Sequence, residues 1–325
     1  MGKSYEQTIL SIFSGCDIRN FIVNFNAVRI FVCGGEVDIK STTCKSFRHK
    51  IFEYTAAKVD FKIIHDSLIM AEAFKNYYRN NYSDLLTFEA DIANLSTLIL
   101  IFLEAPGSLV EFGLYCAKPE FFNKLIIVVP QQHVEQQDSF IYLGPLEFIK
   151  SKVDDSVLVY PFQDKSCLYK DDYAEDVCQT ILNKIHSGNK TGKFEANNSG
   201  HLALLIFELI RLCFPIQQFE IEKVLKSLGL DEVKQGTLKR LIYLLKEMDY
   251  IDSCGISSNT YFYPKLKVKE NKAISFSKSN GGLDSTSIKI KVLESINLGG
   301  DLLAHRRKMA VEQISKIFED VNNGY

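Results

Sequence analysis

Thr97-Leu-Ile-Leu-Ile-Phe-Leu103, running on into Glu104-Ala-Pro106-Gly107-Ser108-Leu-Val-Glu111-Phe-Gly113, decides how this chain is read. The first seven residues are nearly all apolar and mostly branched, with the length of a strand buried on both faces. The period then changes. Pro106 suits the start of a helix, and the helical pattern runs over about 108–117. The same passage occurs earlier, where Val28-Arg-Ile-Phe-Val-Cys33 ends on Gly34-Gly35-Glu36 and a helix is expected over Ser46–Lys58. Phe61–His65 reads as the second strand, helical stretches over 67–81 and 83–95 precede the third, and Lys124–Val129 and Val157–Tyr160 supply two more. Asp171–His186 closes the unit as a helix. Strands alternating with helices mean parallel βαβ units covered on both faces. Five strands predict an α/β, flavodoxin- or Rossmann-like doubly wound sheet, with its switch point between the first and third strands.

The alternation stops at Ser187–Gly200, a polar, glycine-rich stretch that reads as a linker. Beyond it, His201–Cys213, Phe219–Leu228 and Val233–Asp249 are helical patterns, and Tyr250–Pro264 reads as a hairpin. Three helices and a hairpin are the outline of a winged helix-turn-helix. Residues 265–300 are rich in lysine, serine and glycine, and Asp301–Val321 is a last amphipathic helix. The expected division is therefore 1–190 as a catalytic or ligand domain, 191–265 as a winged helix, and 266–325 as a basic tail with a terminal helix. Charge fits this division. Residues 1–199 carry 20 basic against 25 acidic side chains, and residues 200–325 carry 18 against 15.

Length and composition bound the rest. The chain has 325 residues, 46% hydrophobic and 24% charged, which excludes a disordered, collagen-like or disulfide-scaffold protein. No apolar run approaches the ~18–20 residues of a membrane span. The N-terminus lacks a signal-peptide pattern, and Glu6 stands where a myristoylation signal wants Ser or Thr. Eight cysteines, at 16, 33, 44, 116, 167, 178, 213 and 254, form no Cys-x-x-Cys pair and read as reduced thiols. A cytoplasmic protein without a metal site is expected.

In an open parallel sheet, ligands bind outside the carboxyl ends of the strands at the switch point. There the first strand delivers Gly34 and Gly35, whose missing side chains would let a ligand approach the backbone. The third delivers Gly107 and Ser108, with free N–H groups aimed at an anion. Glu111 is expected in the first turn of its helix, where the macrodipole favours the ionised form. An ionised carboxylate at a ligand crevice suits an oxocarbenium-like sugar carbon. Arg48 could pair with a phosphate. Plainer explanations compete. Such a glutamate is often only a dipole partner, Gly34-Gly35 could be only a tight turn, and Glu104 could be a hydrogen bonder behind a catalyst. Glu89 and Asp91 are expected to be solvated.

Leu103–Gly113 resembles the Gly-Ser/Thr-x-x-Glu-x-Gly signature of nucleoside 2-deoxyribosyltransferase-like proteins. Together with Phe31–Glu36, Ser46-Phe-Arg-His49 and Phe140-Ile-Tyr-Leu-Gly-Pro145, it is similar to retron-associated effectors that pair this domain with a winged-helix-like region. The resemblance covers about residues 28–162. It implies an antiphage toxin held inactive by a reverse transcriptase and its multicopy single-stranded DNA, oligomeric in that complex. The implied reaction is cleavage of N-glycosidic bonds, with NAD or a related nucleotide as substrate and no cofactor. By motif match, Glu111 carries over as the catalytic carboxylate; Glu104, from its place at the strand end, is the second catalytic candidate. Gly34, Gly35, Gly107 and Ser108 carry over as ligand-binding backbone, and Ser46 and Arg48 as helpers. The carboxylate and amide partners that bind deoxyribose and base in true deoxyribosyltransferases have no evident counterparts, so water is the expected acceptor.

In Val233–Asp249, Leu238, Leu241, Leu245 and Met248 share one face. Lys239, Arg240, Tyr243 and Lys246 share another, a set suited to phosphate contacts and base stacking. A merely solvated face, or one that binds protein, competes with this. A rival reading of the whole chain is a ligand-sensing winged-helix DNA-binding regulator without catalysis, and a third is a structural partner with a dead site.

Overall fold

The computed structural model describes residues 3–38, 40–41, 43–70, 74, 82–135, 142–162, 169–278 and 281–322. They form two compact units. Val28–Asn76 with Ile92–Gly188 makes one, and the other gathers the N-terminal residues to Ala27, residues 82–91 and the chain from Asn189 onward. Residues 3–27 and 82–91, expected in the first domain, therefore group with the C-terminal part.

The α/β unit is built on five parallel strands. Leu98–Phe102 lies at the centre, with Ile30–Cys33 and then Leu68–Met70 on one side, and Leu125–Pro130 and then Val157–Tyr160 on the other. The order second-first-third-fourth-fifth is that of the expected doubly wound sheet. Its switch point falls between Ile30–Cys33 and Leu98–Phe102, paired in register from Ile30↔Leu98 to Cys33↔Ile101. Ile30, Val32, Leu100, Ile126 and Val128 pack against Phe47 and Ile51 of the helix Phe47–Ala57 and against Val177 and Ile181 of the helix Asp171–Ser187. Phe31, Ile99, Ile101 and Ile127 are equally buried. Burial of both faces explains why these strands read as continuous apolar runs.

The second strand is not Phe61–His65. That stretch is helical, over Val59–Phe61 and Lys62–His65, and the strand starts at Leu68. Phe61 and Ile64 are buried while Ile63 between them is 48% exposed, which is helical spacing, and Lys62 pairs with Asp66 one turn on. Strand 68–70 replaces the start of the expected helix over 67–81, whose residues 71–73 and 75–81 lie outside the described residues, as do Phe140 and Ile141 of the Phe140–Pro145 motif.

Lys124 fastens the approach to the third strand. Its Nζ donates to the carbonyls of Ala93, Asn94 and Ser96, at the end of the helix Leu85–Leu95, at 2.9–3.2 Å. These are last-turn carbonyls that the helix itself leaves without donors. Burial pulls the Lys124 ammonium down from its ordinary 10.5 to about 8.

The other unit has three layers of ties. A three-stranded antiparallel sheet sets Ile22–Asn24 between Thr191–Lys193 and Ile274–Ser275. The stretch read as a linker is thus partly strand, and Asn198 caps the next helix, Ser199–Cys213. Helices Gln218–Ser227 and Gln235–Glu247 follow, then the hairpin of Ile251–Ile256 and Asn259–Pro264, with Ile216 bridging to Phe262. The tail is more ordered than its composition suggests. Asp284 caps a helix over Ser285–Leu298 that buries Ile288, Val292 and Ile296, and Leu302–Asn322 is helical. Arg307 of that last helix is buried, ion-paired to Glu220 and hydrogen-bonded to the Pro215 carbonyl. Its guanidinium lies 3.4 Å over the ring of Tyr5, whose hydroxyl donates to the Cys213 carbonyl. First and last helices are thereby locked to the middle of the unit. Among the described residues all cysteines are free thiols, Cys167 lying outside them, and no helix is long and apolar enough to cross a membrane.

Lys124→Met removes the donor for three carbonyls and is expected to cost about 1–3 kcal/mol in urea unfolding at pH 7. The pH dependence has a sign. Between about 8 and 10.5 the unfolded chain holds a proton that folded Lys124 has lost, so this group favours folding increasingly as pH rises. The wild-type advantage over Lys124→Met should widen across that window; a constant advantage contradicts the assignment.

Candidate active site

The crevice at the switch point is organised by Glu104. Its Oε1 accepts hydrogen bonds from the Gly35 N–H at 3.0 Å and the Arg48 N–H at 3.1 Å, and its Oε2 accepts from the Phe47 N–H at 2.8 Å. One carboxylate thus ties the end of the third strand to the loop after the first strand and to the open N-terminus of the helix Phe47–Ala57. Charge-assisted bonds to a helix N-terminus are among the stronger kinds. Ser46 completes the cap. Its Oγ accepts from the His49 N–H at 2.9 Å and donates to the Glu36 carbonyl at 2.7 Å.

This explains the two glycines differently from the expectation. A Cβ at Gly35 would stand 2.7 Å from Cβ of Ser46 and 3.1 Å from the Glu104 side chain; at Gly34 it would meet Phe102 and Arg48 at 3.0–3.1 Å. The missing side chains make room for protein rather than leaving space for a ligand, and the Gly35 N–H is already given to Glu104. Arg48 is 1% exposed, with its guanidinium donating to the Val32 carbonyl. It lies beneath the loop rather than on the open crevice.

The second wall begins at an exposed helix start. Pro106 is the first residue of its helix, Pro106–Cys116, and Ser108 is buried, with its Oγ donating to the Ala105 carbonyl and accepting from the Ala105 N–H. A Cβ built at Gly107 meets nothing within 4 Å, and the residue is exposed. Because the helix begins at Pro106, Glu111 is its sixth residue and lies in the second turn, not the first. The dipole effect falls off within the first turn, so it contributes less to Glu111 than expected. Glu111 is half-buried, one turn beyond Ser108.

Two groups escaped the sequence reading. Tyr169 stacks on Phe47 at 5.5 Å, with Phe162 edge-on to both, and burial together with the Glu104 charge pushes its hydroxyl up to about 12. Phe162, two residues past the fifth strand, was the available signal. Cys44, His49 and Glu53 bring three metal-ligand types within 4.8 Å, a Cys-x4-His-x3-Glu spacing that could have been noticed. Their protons are committed to one another. Lys45 N–H donates to His49 Nδ1, which assigns the ring proton to Nε2 facing Glu53, and the Cys44 thiol donates to Glu53. Burial and this bond push the Cys44 thiol up to about 12, so it is neither a ready thiolate ligand nor a nucleophile.

The face expected to touch nucleic acid is largely engaged within its own unit. Arg240 Nε donates to Asp91 at 2.9 Å, Asp91 is 3% exposed, and the Tyr82 hydroxyl donates to the same carboxylate. Tyr243 packs edge-on against Tyr82. Lys246 donates to Ser253, and only Lys239 of the four is exposed. Asp91 and Glu89, expected in solvent, are buried, because this helix end is covered. Lys265 and Lys267 are likewise paired, with Asp249 and Asp252.

A family model described as STM3845 retron effector protein matches residues 44–253, and the chain belongs to that retron effector family. A retron Ec86 protein of Escherichia coli, whose name proposes a ribosyltransferase and DNA-binding role, is 26% identical over 131 residues. That match covers 40% of this chain and 40% of that protein.

Two outcomes test this geometry. Gly35→Ala should lose about 1–3 kcal/mol through overpacking, whereas Gly107→Ala, in an open helical position, should be neutral or stabilising by up to about 1 kcal/mol. Equal denaturation midpoints would remove the packing role of Gly35. In a double-mutant cycle, Arg240→Ala and Asp91→Ala should couple by about 0.5–3 kcal/mol, and additivity would show the pair to be incidental.

Proposed function

We propose that the switch-point crevice cleaves the N-glycosidic bond of NAD or a related nucleotide, with Glu111 as the catalytic carboxylate. The observation that carries this reading is the half-buried Glu111 on a proline-led helix springing directly from the central strand that also bears Glu104. Membership of a retron effector family and the ribosyltransferase name of its Escherichia coli relative support it.

In the proposed reaction, a Glu111 oxygen bonds to the anomeric carbon as the C–N bond breaks, and the bond's electron pair leaves with the base. Water then attacks the same carbon as the bond to Glu111 breaks, leaving the free sugar hydroxyl and an ionised Glu111. Water's other proton passes to the departed base or to solvent. No resident cofactor is required. The exposed Gly107 N–H lies where a ligand phosphate can approach a helix N-terminus. Glu104 and Ser46 act as positioning residues that hold the opposite wall, and Arg48 supports that wall from below.

The three helices and hairpin of the C-terminal part, with Ile216 bridging to Phe262, follow the order of a winged helix. We assign this part to recognition of a reverse transcriptase and its single-stranded DNA, which would hold a cytoplasmic toxin inactive and oligomeric until phage infection. With Arg240, Tyr243 and Lys246 engaged internally, a DNA contact falls to exposed lysines of this helix, Lys239 and, at its N-cap, Lys234.

Purified chain incubated with NAD and a nucleotide panel should release free base. Glu111→Gln should lower that rate by at least ~10²–10⁴-fold with an unchanged melting profile. Release at the wild-type rate by Glu111→Gln excludes the catalytic assignment, and no release from any nucleotide favours a ligand-sensing regulator.

A further inference from the structure

The wall organised by Glu104 leaves two hydrogen-bonding positions unused, and Phe47 holds both. A carboxylate has room for about four hydrogen bonds. Oε1 of Glu104 takes two, from Gly35 and Arg48, but Oε2 takes one, from the Phe47 N–H. Among the described residues, one acceptor position on Oε2 is left, on a side chain that is half-buried. The second position is the hydroxyl of Tyr169. Its half-buried ring lies on that of Phe47 at 5.5 Å and 20°, with Phe162 edge-on to both. Phe47 thus holds Glu104 by its backbone and Tyr169 by its ring. Burial and the Glu104 charge keep the phenol protonated well above neutral pH, so it is a donor at pH 7. Among the described residues this donor has no hydrogen-bond partner. Cys44, the other group whose charge reaches it, already gives its thiol proton to Glu53.

An acceptor on Glu104 and a donor on Tyr169, on one wall, select the ligand group. A phosphate does not suit them, because it would meet the negative Oε2. A stacked base is not favoured, because Phe47 already covers one face of the Tyr169 ring and Phe162 an edge. A hydroxyl fits, since a single oxygen donates to the carboxylate and accepts from the phenol. A base carboxamide offers both functions too, but from separate atoms. Placement favours the sugar. Glu104 lies between the central strand and the helix that bears Glu111, and Glu111 is assigned to the anomeric carbon of the ring from which sugar hydroxyls project.

We propose that Glu104 and Tyr169 together bind a ribose hydroxyl, so that the crevice takes ribonucleotides in preference to deoxyribonucleotides. This rests on the reading of the crevice as a nucleotide site. The test titrates the full chain carrying Glu111→Gln by calorimetry, so that no ligand is consumed. The ligands are AMP and NAD, each also in its 2′-deoxy and 3′-deoxy form at the ribose whose base would be released. Tyr169→Phe, added to the same chain, keeps the stack on Phe47 and removes only the hydroxyl. Tyr173→Phe, which removes a phenol stacked on Tyr160 instead, is the control.

The ribose forms should bind at least about tenfold more tightly than one of the two deoxy forms, and the form that loses identifies the hydroxyl. Tyr169→Phe should shrink that ratio about 3–10-fold for AMP and NAD alike, as loss of one hydrogen bond implies, with an unchanged melting profile. Tyr173→Phe should keep the ratio. Equal affinity for ribose and deoxy forms, or binding of none, overturns the proposal. So does a ratio that Tyr169→Phe leaves intact, which would make the phenol merely solvated. An effect confined to NAD would move the contact to its carboxamide and overturn it equally. Catalysis is judged apart from this. A ribose preference without base release by the native chain sinks the catalytic reading and keeps this site, whereas equal base release from ribose and deoxy substrates does the reverse.

Discussion

A single carboxylate, that of Glu104, accepts three backbone N–H groups from two other segments, and the crevice depends on it. Parallel strands leave their carboxyl ends ragged, each running into a separate loop. Here the loop after the first strand, the helix that follows it and the end of the third strand converge on one charged group. The need for close approach then dictates the residues around it. Gly35 has no side chain because Ser46 and Glu104 occupy that space, and Ser46 caps the helix that Glu104 reaches. The opposite wall, led by Pro106, carries no such constraint at Gly107 and is free to face a ligand. One wall is rigid and filled, the other open.

Much of this was legible in the sequence, for physical reasons that also mark the limits. Strands buried on both faces must be apolar throughout, so four of the five parallel strands and their order could be read directly. The second could not, because Phe61–His65 is as apolar as a strand but buries Phe61 and Ile64 at helical spacing. The motif residues Gly34, Gly35, Ser46, Arg48, Glu104, Gly107, Ser108 and Glu111 do belong to the two walls of one switch point. Their division of labour was not legible. Whether a glycine makes room for ligand or for protein, and whether an arginine faces solvent or core, depends on contacts between segments far apart in the chain. The turn occupied by Glu111 depended on where the helix begins, and Pro106 alone settles that.

The C-terminal unit shows the same limit for charge. A helix wheel of Gln235–Glu247 separates an apolar from a basic face correctly, but says nothing of what covers the basic one. Residues 82–91 do so, and Asp91 turns Arg240 from a candidate phosphate ligand into half of a largely buried ion pair. Such a pair is costly to form and more costly to break from one side, so it acts as a positional constraint rather than a source of stability. The segments that looked least structured, 187–200 and 265–300, carry a strand and a capped helix. Their burial is sparse and rests on partners distant in sequence, as Ile22–Asn24 is from Ile274–Ser275.

Amide hydrogen exchange at three positions tests most directly whether Glu104 organises the crevice. In the native chain the amides of Gly35, Phe47 and Arg48 should exchange slowly, although two of them belong to the first turn of a helix, where no intrahelical acceptor protects them. In Glu104→Ala all three should accelerate together while the strand amides of Phe31 and Val32 keep their protection. Unchanged exchange at these three amides, or acceleration of one without the others, would contradict the account.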